Sequence, residues 1–331
     1  MAFPLLRDRF ASYWRRWSPT EARLSSQPLL SDVELRALRL QAESLPASLL
    51  EFQRPAAHAL IGDSLSTLRG RGFEFEENRA YQPGDEPRLL NWRLYARSGA
   101  LFTKVFVEER KPQAFLLVDR RAAMRFATRH QLKAALAVKL AACHAWQARQ
   151  QALAVGGLVL DEQAHWFAPA MGETAMQPLL QALTSACPPL DFDAGQPDLE
   201  QSLRLLLHRL PAGCFVLLVS DFHDLDVNRA LPLLQELAAR HSVRALQVLD
   251  PVEQALPAEG DYLIEDGVGL PPLRIDGGNA AQQAAYARAF AREQERLAQC
   301  FQSCAIPFRT CSTRDEPAAC LVASDDSGTA H

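Results

Sequence analysis

A short apolar segment followed by an acidic residue places the strongest constraint on how this chain can fold. Residues Phe115–Val118 read FLLV, and Asp119, Arg120 and Arg121 follow directly. A continuous hydrophobic run of this length is typical of a strand that is buried on both faces of a parallel sheet. Because ligand sites of open α/β sheets lie at the carboxyl ends of the strands, we expect Asp119 at the ligand-facing edge.

The same pattern occurs twice more along the chain. Cys214–Val219 precedes Ser220 and Asp221, and Arg244–Leu249 precedes Asp250. Helical periodicity separates these apolar runs, so strands and helices alternate through most of the sequence. Such alternation predicts an α/β fold with a doubly wound, mainly parallel sheet, helices on both faces and right-handed crossovers. The three aspartates that follow the runs are then expected along one edge of the sheet.

Periodicity also locates the other elements. The predicted helices cover residues 31–50, 87–97, 129–151, 173–187, 197–210, 227–240 and 280–303. The predicted strands cover residues 73–78, 101–109, 153–160, 164–168 and 306–310, with a β-rich stretch at 262–275. The strands at 153–160 and 164–168 are expected to form a hairpin.

The chain is predicted to have four parts. They are an amphipathic N-terminal segment at residues 1–30, a small N-terminal α+β subdomain at 31–111, the sheet domain at 112–322 and a disordered tail at 323–331. In the N-terminal segment, one helical face carries Phe3, Leu6, Phe10, Tyr13, Trp14 and Trp17, with arginines elsewhere on the wheel. Such a helix can lie on an anionic membrane surface. The alternative is that it packs against its own domain.

Composition narrows the class of protein. The 331 residues carry a formal net charge of −4, which gives no electrostatic reason to expect nucleic acid as a partner. The seven cysteines are an odd number and several lie in apolar segments, which favours reduced, buried thiols over a disulfide framework. No segment reaches the roughly 18 to 20 apolar residues of a membrane span, and the amino terminus has no signal-peptide core. We therefore expect a cytoplasmic protein, with peripheral contact at the inner membrane face through residues 1–20 as an open alternative.

Several common catalytic motifs are missing from the sequence. It contains no G-x-x-x-x-G-K-[ST] loop, no G-x-G-x-x-G after a strand and no G-x-S-x-G nucleophile elbow. The scattered histidines have no zinc-like spacing and are predicted to be surface or satisfied side chains: His58, His130, His144, His165, His208, His223 and His241.

Asp119 and Asp221 are the strongest remaining candidates for chemistry. Mg²⁺ prefers carboxylate, hydroxyl and water oxygens, and these two aspartates could supply carboxylates. Arg120 and Arg121 oppose a cation there, because a guanidinium competes for the carboxylate and repels a metal ion. The alternative is that Asp119 pairs with an arginine or caps the following helix.

Residues 70–111 carry a linked set of motifs. In chain order they are Arg79-x-Tyr81-x-Pro83-Gly84-Asp85, Asn91-Trp92, Ala96-Arg97 and Phe106–Arg110. This set resembles the signature of the bacterial family named domain of unknown function fifty-eight, in which the signature runs into a von Willebrand factor A-like domain. The similarity continues through Ser220-Asp221 and Asp250-Pro251 and covers about residues 60–322.

The resemblance implies a non-enzymatic protein-interaction or scaffold protein that acts with a MoxR-type AAA+ ATPase in complex assembly or maturation. Von Willebrand A domains bind partners through a metal-ion-dependent adhesion site whose first loop reads D-x-S-x-S. Here Asp119 and Asp221 persist, but the first loop reads Asp119-Arg120-Arg121-Ala122-Ala123 and lacks both serines. We therefore expect a degenerate metal site without tight Mg²⁺ binding, no other cofactor and no catalytic residue. The alternative hypothesis is a metal-dependent phosphoesterase that uses the aspartates at the sheet edge.

The same stretch, residues 70–111, supplies the predicted partner-binding residues, since Arg, Tyr and Trp anchor many protein interfaces. These residues are Arg79, Tyr81, Pro83, Gly84, Asp85, Arg88, Asn91, Trp92 and Arg93. The alternative is a purely structural subdomain, in which Trp92 and Tyr95 lie in the core and Arg79 pairs with Asp85.

Overall fold

The computed structural model describes most of the chain. The described residues are 27–45, 73–108, 113–125, 127–128, 130–188, 197–255, 261–264, 273–276 and 278–322. The predicted amphipathic helix within residues 1–20 and the predicted tail at 323–331 lie outside them. The described residues fall into two compact units, a smaller one at 73–108 and a larger one that contains all the others.

The elements are numbered in chain order. The described helices are α1 (Asp32–Ser44), α2 (Trp92–Ser98), α3 (Lys133–Gln150), α4 (Glu173–Thr184), α5 (Leu199–Arg209), α6 (Val227–Arg240), α7 (Pro251–Gln254), α8 (Ala280–Ser303) and α9 (Pro317–Val322). The described strands are β1 (Phe73–Ala80), β2 (Phe102–Glu108), β3 (Gln113–Asp119), β4 (Ala154–Leu160), β5 (Ala164–Ala170), β6 (Phe215–Ser220), β7 (Ser242–Leu249), β8 (Asp261–Ile264), β9 (Leu273–Asp276) and β10 (Phe308–Ser312). None of the described helices is both long enough and apolar enough to cross a membrane.

A six-stranded sheet forms the centre of the larger unit, with strand order β10-β7-β6-β3-β4-β5. The pairs β10–β7, β7–β6, β6–β3 and β3–β4 are parallel, and only β5 runs antiparallel to its neighbour β4. In the register, Leu116 of β3 lies between Gly157 of β4 and Leu217 of β6. The predicted mainly parallel sheet and the hairpin at its end are therefore confirmed.

Helices cover both faces of this sheet. Leu116 and Val118 of β3 lie in one apolar core with residues of α1, α3, α4 and α9. Phe115 and Leu117 point the other way, into a second core with residues of α5, α6 and α8. Successive side chains of a strand alternate between the faces, so a strand covered on both sides needs an unbroken apolar run. This confirms the predicted doubly wound arrangement.

Helix α1 corrects the predicted domain boundary at residue 31. Leu38 and Ala42 of α1 belong to the core beneath α3, and the Arg39 guanidinium donates to Glu173 of α4 at 3.1 Å. The helix thus belongs to the larger unit and not to the unit of β1 and β2, so the predicted boundary at residue 31 is wrong. An amphipathic stripe indicates that a helix is buried on one face, but it does not indicate which neighbour covers that face.

The smaller unit is built on the antiparallel pair β1–β2. The helix predicted over residues 87–97 is divided in two, a 3₁₀ turn at Pro87–Leu89 followed by α2. The division occurs at Asn91, whose side-chain oxygen accepts a hydrogen bond from the Leu94 amide at 3.1 Å. Asparagine is a strong N-cap, so it starts a new helix here instead of continuing the preceding turn.

Candidate functional site

The carboxyl ends of β3, β6 and β7 bring three aspartates to one edge of the sheet, which we call the aspartate edge. Asp119, Asp221 and Asp250 are all buried there, with at most 3% of each residue exposed. The three strands are neighbours and parallel, so their carboxyl ends meet at the same edge. The expected position of the aspartates is therefore confirmed.

Asp119 is paired with the arginine two residues further along the chain. Its two carboxylate oxygens accept hydrogen bonds from Nε and Nη2 of Arg121 at 3.0 and 2.7 Å. The Arg121 amide and the Ser220 hydroxyl complete its contacts at 3.0 and 2.7 Å. A bidentate guanidinium–carboxylate pair is among the strongest charge-assisted contacts in proteins. Of the two alternatives for Asp119, the structure has the pairing with arginine.

The same guanidinium holds a second carboxylate. Arg121 Nη2 donates to Asp224 at 3.0 Å, and Nη1 donates to the Pro197 carbonyl at 2.9 Å. Burial would raise the pKa of Asp224, but Arg121 more than offsets it and lowers that pKa below its ordinary value. Arg121 therefore joins the loops after β3 and β6 through one buried positive charge.

Lys133 pairs with Asp221 as Arg121 pairs with Asp119, and it also contacts a second carboxylate. Its ammonium lies 2.8 Å from the Asp221 carboxylate and 2.6 Å from that of Glu253. Burial would lower the pKa of Lys133, but the two carboxylates raise it above its ordinary value, so the amine stays charged. Sequence reasoning missed Lys133 and Glu253. A lysine inside the apolar start of a predicted helix, LKAALAV at 132–138, is the signal that could have found the first of them.

The Asp250 carboxylate accepts hydrogen bonds from neutral donors. Its carboxylate accepts hydrogen bonds from the Thr128 hydroxyl at 2.6 Å and the Thr313 hydroxyl at 2.9 Å. It also caps α7, accepting from the Val252 amide at 3.1 Å, while Glu253 accepts from the Asp250 amide at 2.7 Å. This capping box links Asp250 to the carboxylate that Lys133 holds.

Arg120 does not act at the aspartate edge. Its buried guanidinium donates to carbonyl oxygens at the carboxyl end of α4, those of Ala182, Leu183, Ser185 and Ala186. The expectation that both arginines oppose a cation beside Asp119 is thus wrong for Arg120, because consecutive residues leave the strand in different directions. Arg120 instead satisfies the last carbonyls of a helix, which have no intrahelical donor.

His223 was expected only as one of the scattered histidines, and the structure places it on Asp221. Its Nδ1 lies 2.8 Å from the Asp221 carboxylate, and 30% of its side chain is exposed. The chain turns at Phe222, which has a left-handed φ of 54°. Burial would lower the pKa of His223, but Asp221 raises it above its ordinary value. The run SDFHD at 220–224, with ionisable residues directly after a strand, was the available signal.

We expect replacement of His223 by glutamine to cost stability only at low pH. The folded-state pKa of His223 lies above its unfolded value of about 6.5, so its contribution is complete below pH 6.5 and fades as the pH rises through the folded-state pKa. The wild type should exceed His223→Gln by about 1 kcal/mol in unfolding free energy at pH 5.5, with a smaller difference at pH 8.5. Urea denaturation at both pH values measures this. A difference that grows with pH would contradict the assignment.

No metal-like cluster accompanies the aspartates. Within the part of the chain that the structure describes, no three His, Cys, Asp or Glu side chains are placed to hold a metal ion. Both oxygens of Asp119 and both oxygens of Asp221 accept hydrogen bonds from protein donors. The seven cysteines are buried free thiols, as predicted.

Three of the predicted partner-binding residues hold the smaller unit together. Arg79 and Asp85 form an ion pair at 2.7 Å, and Asp85 also accepts from the Thr103 hydroxyl at 2.9 Å. A hydrogen bond from the Gln82 amide and the Arg79 pair lower the pKa of Asp85. Asn91 caps α2. The Arg79–Asp85 pair that the structural alternative predicted is therefore present.

The same alternative is wrong for the aromatic residues. Trp92 is 59% exposed and Tyr95 is 43% exposed, so neither lies in a core. Their rings meet edge to face with centroids 6.3 Å apart. Leu94, on the same helix, is half-buried. Predicted partner-binding residues Pro83, Gly84, Arg88 and Arg93 are exposed as well, and Tyr81 is half-buried.

The chain matches one protein family over most of its length. The profile of the family described as "Protein of unknown function DUF58" matches residues 77–296. The chain is 30% identical over 257 residues to Uncharacterized protein Mb1516 of Mycobacterium bovis and to Uncharacterized protein Rv1480 of Mycobacterium tuberculosis, covering 77% of this chain and 79% of each relative. The chain belongs to the DUF58 family, and the expected membership is confirmed.

Two solved structures are also similar to parts of the chain. The conserved hypothetical protein BatB from Bacteroides thetaiotaomicron matches with 15% identity and a TM-score of 0.34, over 58% of this chain and 98% of that one. An aerotolerance-related membrane protein from Bacteroides fragilis matches with 12% identity and a TM-score of 0.38, over 63% of this chain and 94% of that one.

Proposed function

We propose that this protein is a non-enzymatic interaction or scaffold protein that binds a MoxR-type AAA+ ATPase during assembly or maturation of a protein complex. The observation that carries the proposal is the exposed aromatic pair of α2, with three exposed arginines close to it in the sequence. We call these residues the Trp92 surface: Arg88, Trp92, Arg93, Tyr95 and Arg97. The type of ATPase follows from the family resemblance. A cytoplasmic location belongs to the proposal, with membrane contact through residues 1–20 as its alternative.

The composition of the Trp92 surface supports docking. Trp, Tyr and Arg are the residue types that most often carry the binding free energy of protein interfaces. A tryptophan that is 59% exposed leaves a large apolar area in water, and covering that area with a partner is favourable. The seven-residue helix also holds the two rings at a fixed spacing, so little ordering is required on binding.

Charge indicates the chemistry of the partner. Arg88, Arg93 and Arg97 are exposed, and none of them forms an ion pair with a carboxylate whose side chain the structure describes. Glu86 is the exposed acidic residue nearest to them in sequence. The Trp92 surface therefore fits an acidic patch on the ATPase, since complementary charge speeds association and fixes orientation.

The test is binding of the purified full-length chain to a MoxR-type ATPase from the same organism, measured by biolayer interferometry. Trp92→Ala should weaken binding by at least about 30-fold, the effect of losing a residue that contributes about 2 kcal/mol. The double variant Arg88→Glu/Arg93→Glu should slow association and reduce its dependence on salt. Leu40→Ala, an exposed apolar residue on α1, and Arg229→Glu on α6 are the matched controls.

Wild-type affinity in both Trp92-surface variants would contradict the docking surface, and equal losses in the control variants would point to misfolding. The phosphoesterase alternative needs Asp119 and Asp221 to be available for a metal ion, and both are bound by fixed side-chain cations. A screen for phosphatase and nuclease activity with added Mn²⁺ tests it directly. Turnover that disappears in Asp221→Asn would favour the enzyme.

A further inference from the structure

We propose that Arg121 and Lys133 replace a divalent metal ion at the aspartate edge, so that the loops there are held together by the chain's own cations. This inference concerns the sheet domain and is independent of the docking proposal. The two buried side chains neutralise the carboxylates, as a bound ion does in a metal-ion-dependent adhesion site.

Arg121 supplies the first charge from within the loop itself. It stands two residues after Asp119, where a D-x-S-x-S loop has its first serine. In place of a hydroxyl oxygen for an ion, the chain puts a guanidinium that is 4% exposed. That group donates to Asp119 and to Asp224, two carboxylates from different loops.

Lys133 supplies the second positive charge from helix α3. It is the first residue of α3 and is 1% exposed, and its ammonium joins Asp221 to Glu253. Each of the two cations thus bridges a carboxylate at the end of a core strand to a carboxylate from a following loop or helix.

Charge and geometry agree with a substitution of this kind. Arg121 and Lys133 together carry the two positive charges that one Mg²⁺ ion would bring. Arg121 occupies both oxygens of Asp119, Lys133 occupies one oxygen of Asp221 and His223 the other, so the carboxylate oxygens that such an ion would need already have protein partners. An ion would have to displace a buried guanidinium from two carboxylates, so the residues present do not fit a divalent metal.

Thermal unfolding of the full-length chain in EDTA and in Mn²⁺ tests the proposal. The wild type should unfold at the same temperature in both. The double variant Arg121→Ser/Ala123→Ser, made in the Lys133→Met background, removes both cations and supplies both loop hydroxyls, so it should be less stable than wild type in EDTA. Its midpoint should rise by about 5–10 °C in saturating Mn²⁺, as expected when a ligand binds only the folded state.

Ala123→Ser alone is the control that separates the effect of the Arg121 charge from the effect of an added hydroxyl oxygen. It keeps Arg121 and should show no response to Mn²⁺, whether or not the double variant folds. A Mn²⁺ response of this single variant, or of the wild type, that Asp119→Asn removes would overturn the proposal. So would a folded double variant whose midpoint ignores Mn²⁺. Loss of free Mn²⁺ signal in electron paramagnetic resonance provides a second readout on the same samples.

Discussion

Replacing Lys133 with methionine is expected to reduce the free energy of unfolding by about 3–5 kcal/mol, the usual cost of breaking a buried ion pair by removing one partner. The methionine side chain keeps much of the lysine's volume but leaves Asp221 and Glu253 without the ammonium that both contact. Asp221 then keeps its contact with His223 and Glu253 its bond from the Asp250 amide, but neither carboxylate is any longer paired with the lysine, so their desolvation is less well compensated. Urea denaturation at pH 7 measures the loss.

Lys139→Met is the matched control, because it makes the same change on the same helix. The Lys139 ammonium is half-buried and donates to the neutral side chain of Gln131 at 2.8 Å, so we expect a loss within about 1 kcal/mol. Adding Glu253→Gln to Lys133→Met should recover part of the stability, because it removes one of the two negative charges that have lost their lysine partner. A Lys133 variant as stable as its control would mean that the buried pair contributes nothing.

Replacing Arg120 with methionine should cost about 2–4 kcal/mol, for a different reason. No carboxylate is involved in the contacts described above; the guanidinium satisfies carbonyl oxygens at the carboxyl end of α4, including those of Leu183 and Ser185 at 3.0 Å each. A buried carbonyl without a donor costs about 1–3 kcal/mol, and several would lose their donor together. Urea denaturation gives the total, and amide hydrogen exchange shows whether α4 opens first.

The control for this second variant is Arg314→Met, a change of the same chemistry at an exposed position. Its unfolding free energy should stay within about 0.5 kcal/mol of wild type. If Arg120→Met unfolds with the same midpoint as Arg314→Met, water or a rearranged loop supplies the missing donors and the capping role of Arg120 is incorrect.

Strands, helices and the aspartate edge were predictable because they depend on local patterns. An unbroken run such as FLLV indicates burial on both faces whatever its neighbours are. Parallel strands then send Asp119, Asp221 and Asp250 to one edge by geometry alone. The prediction needed no knowledge of which helix covers which face.

Side-chain partners could not be predicted in the same way. Arg120 and Arg121 are adjacent and chemically identical, yet one caps α4 and the other binds Asp119. Both are buried, and which of them contacts Asp119 depends on the path of the loop after β3, which composition does not encode. Lys133 lies far in sequence from Asp221 and Glu253, so its pairing requires the tertiary fold.

The exposure of aromatic side chains was also not predictable from the sequence. Trp92 and Tyr95 are residue types that a pattern-based argument places equally well in a core or at an interface. In the structure both rings are exposed, although the Asn91 cap that starts α2 was itself a residue type that the sequence shows.

Sharing each buried cation between two carboxylates also restricts how this protein can diverge. Loss of Arg121 removes the ion-pair partner of both Asp119 and Asp224, and loss of Lys133 removes that of both Asp221 and Glu253. A single substitution at either cation therefore lowers stability through two carboxylates at once. Sequence change at these positions is therefore most readily accepted as concerted replacement. Among related chains, the identity at position 121 should vary together with that at 224, and the identity at 133 together with that at 253.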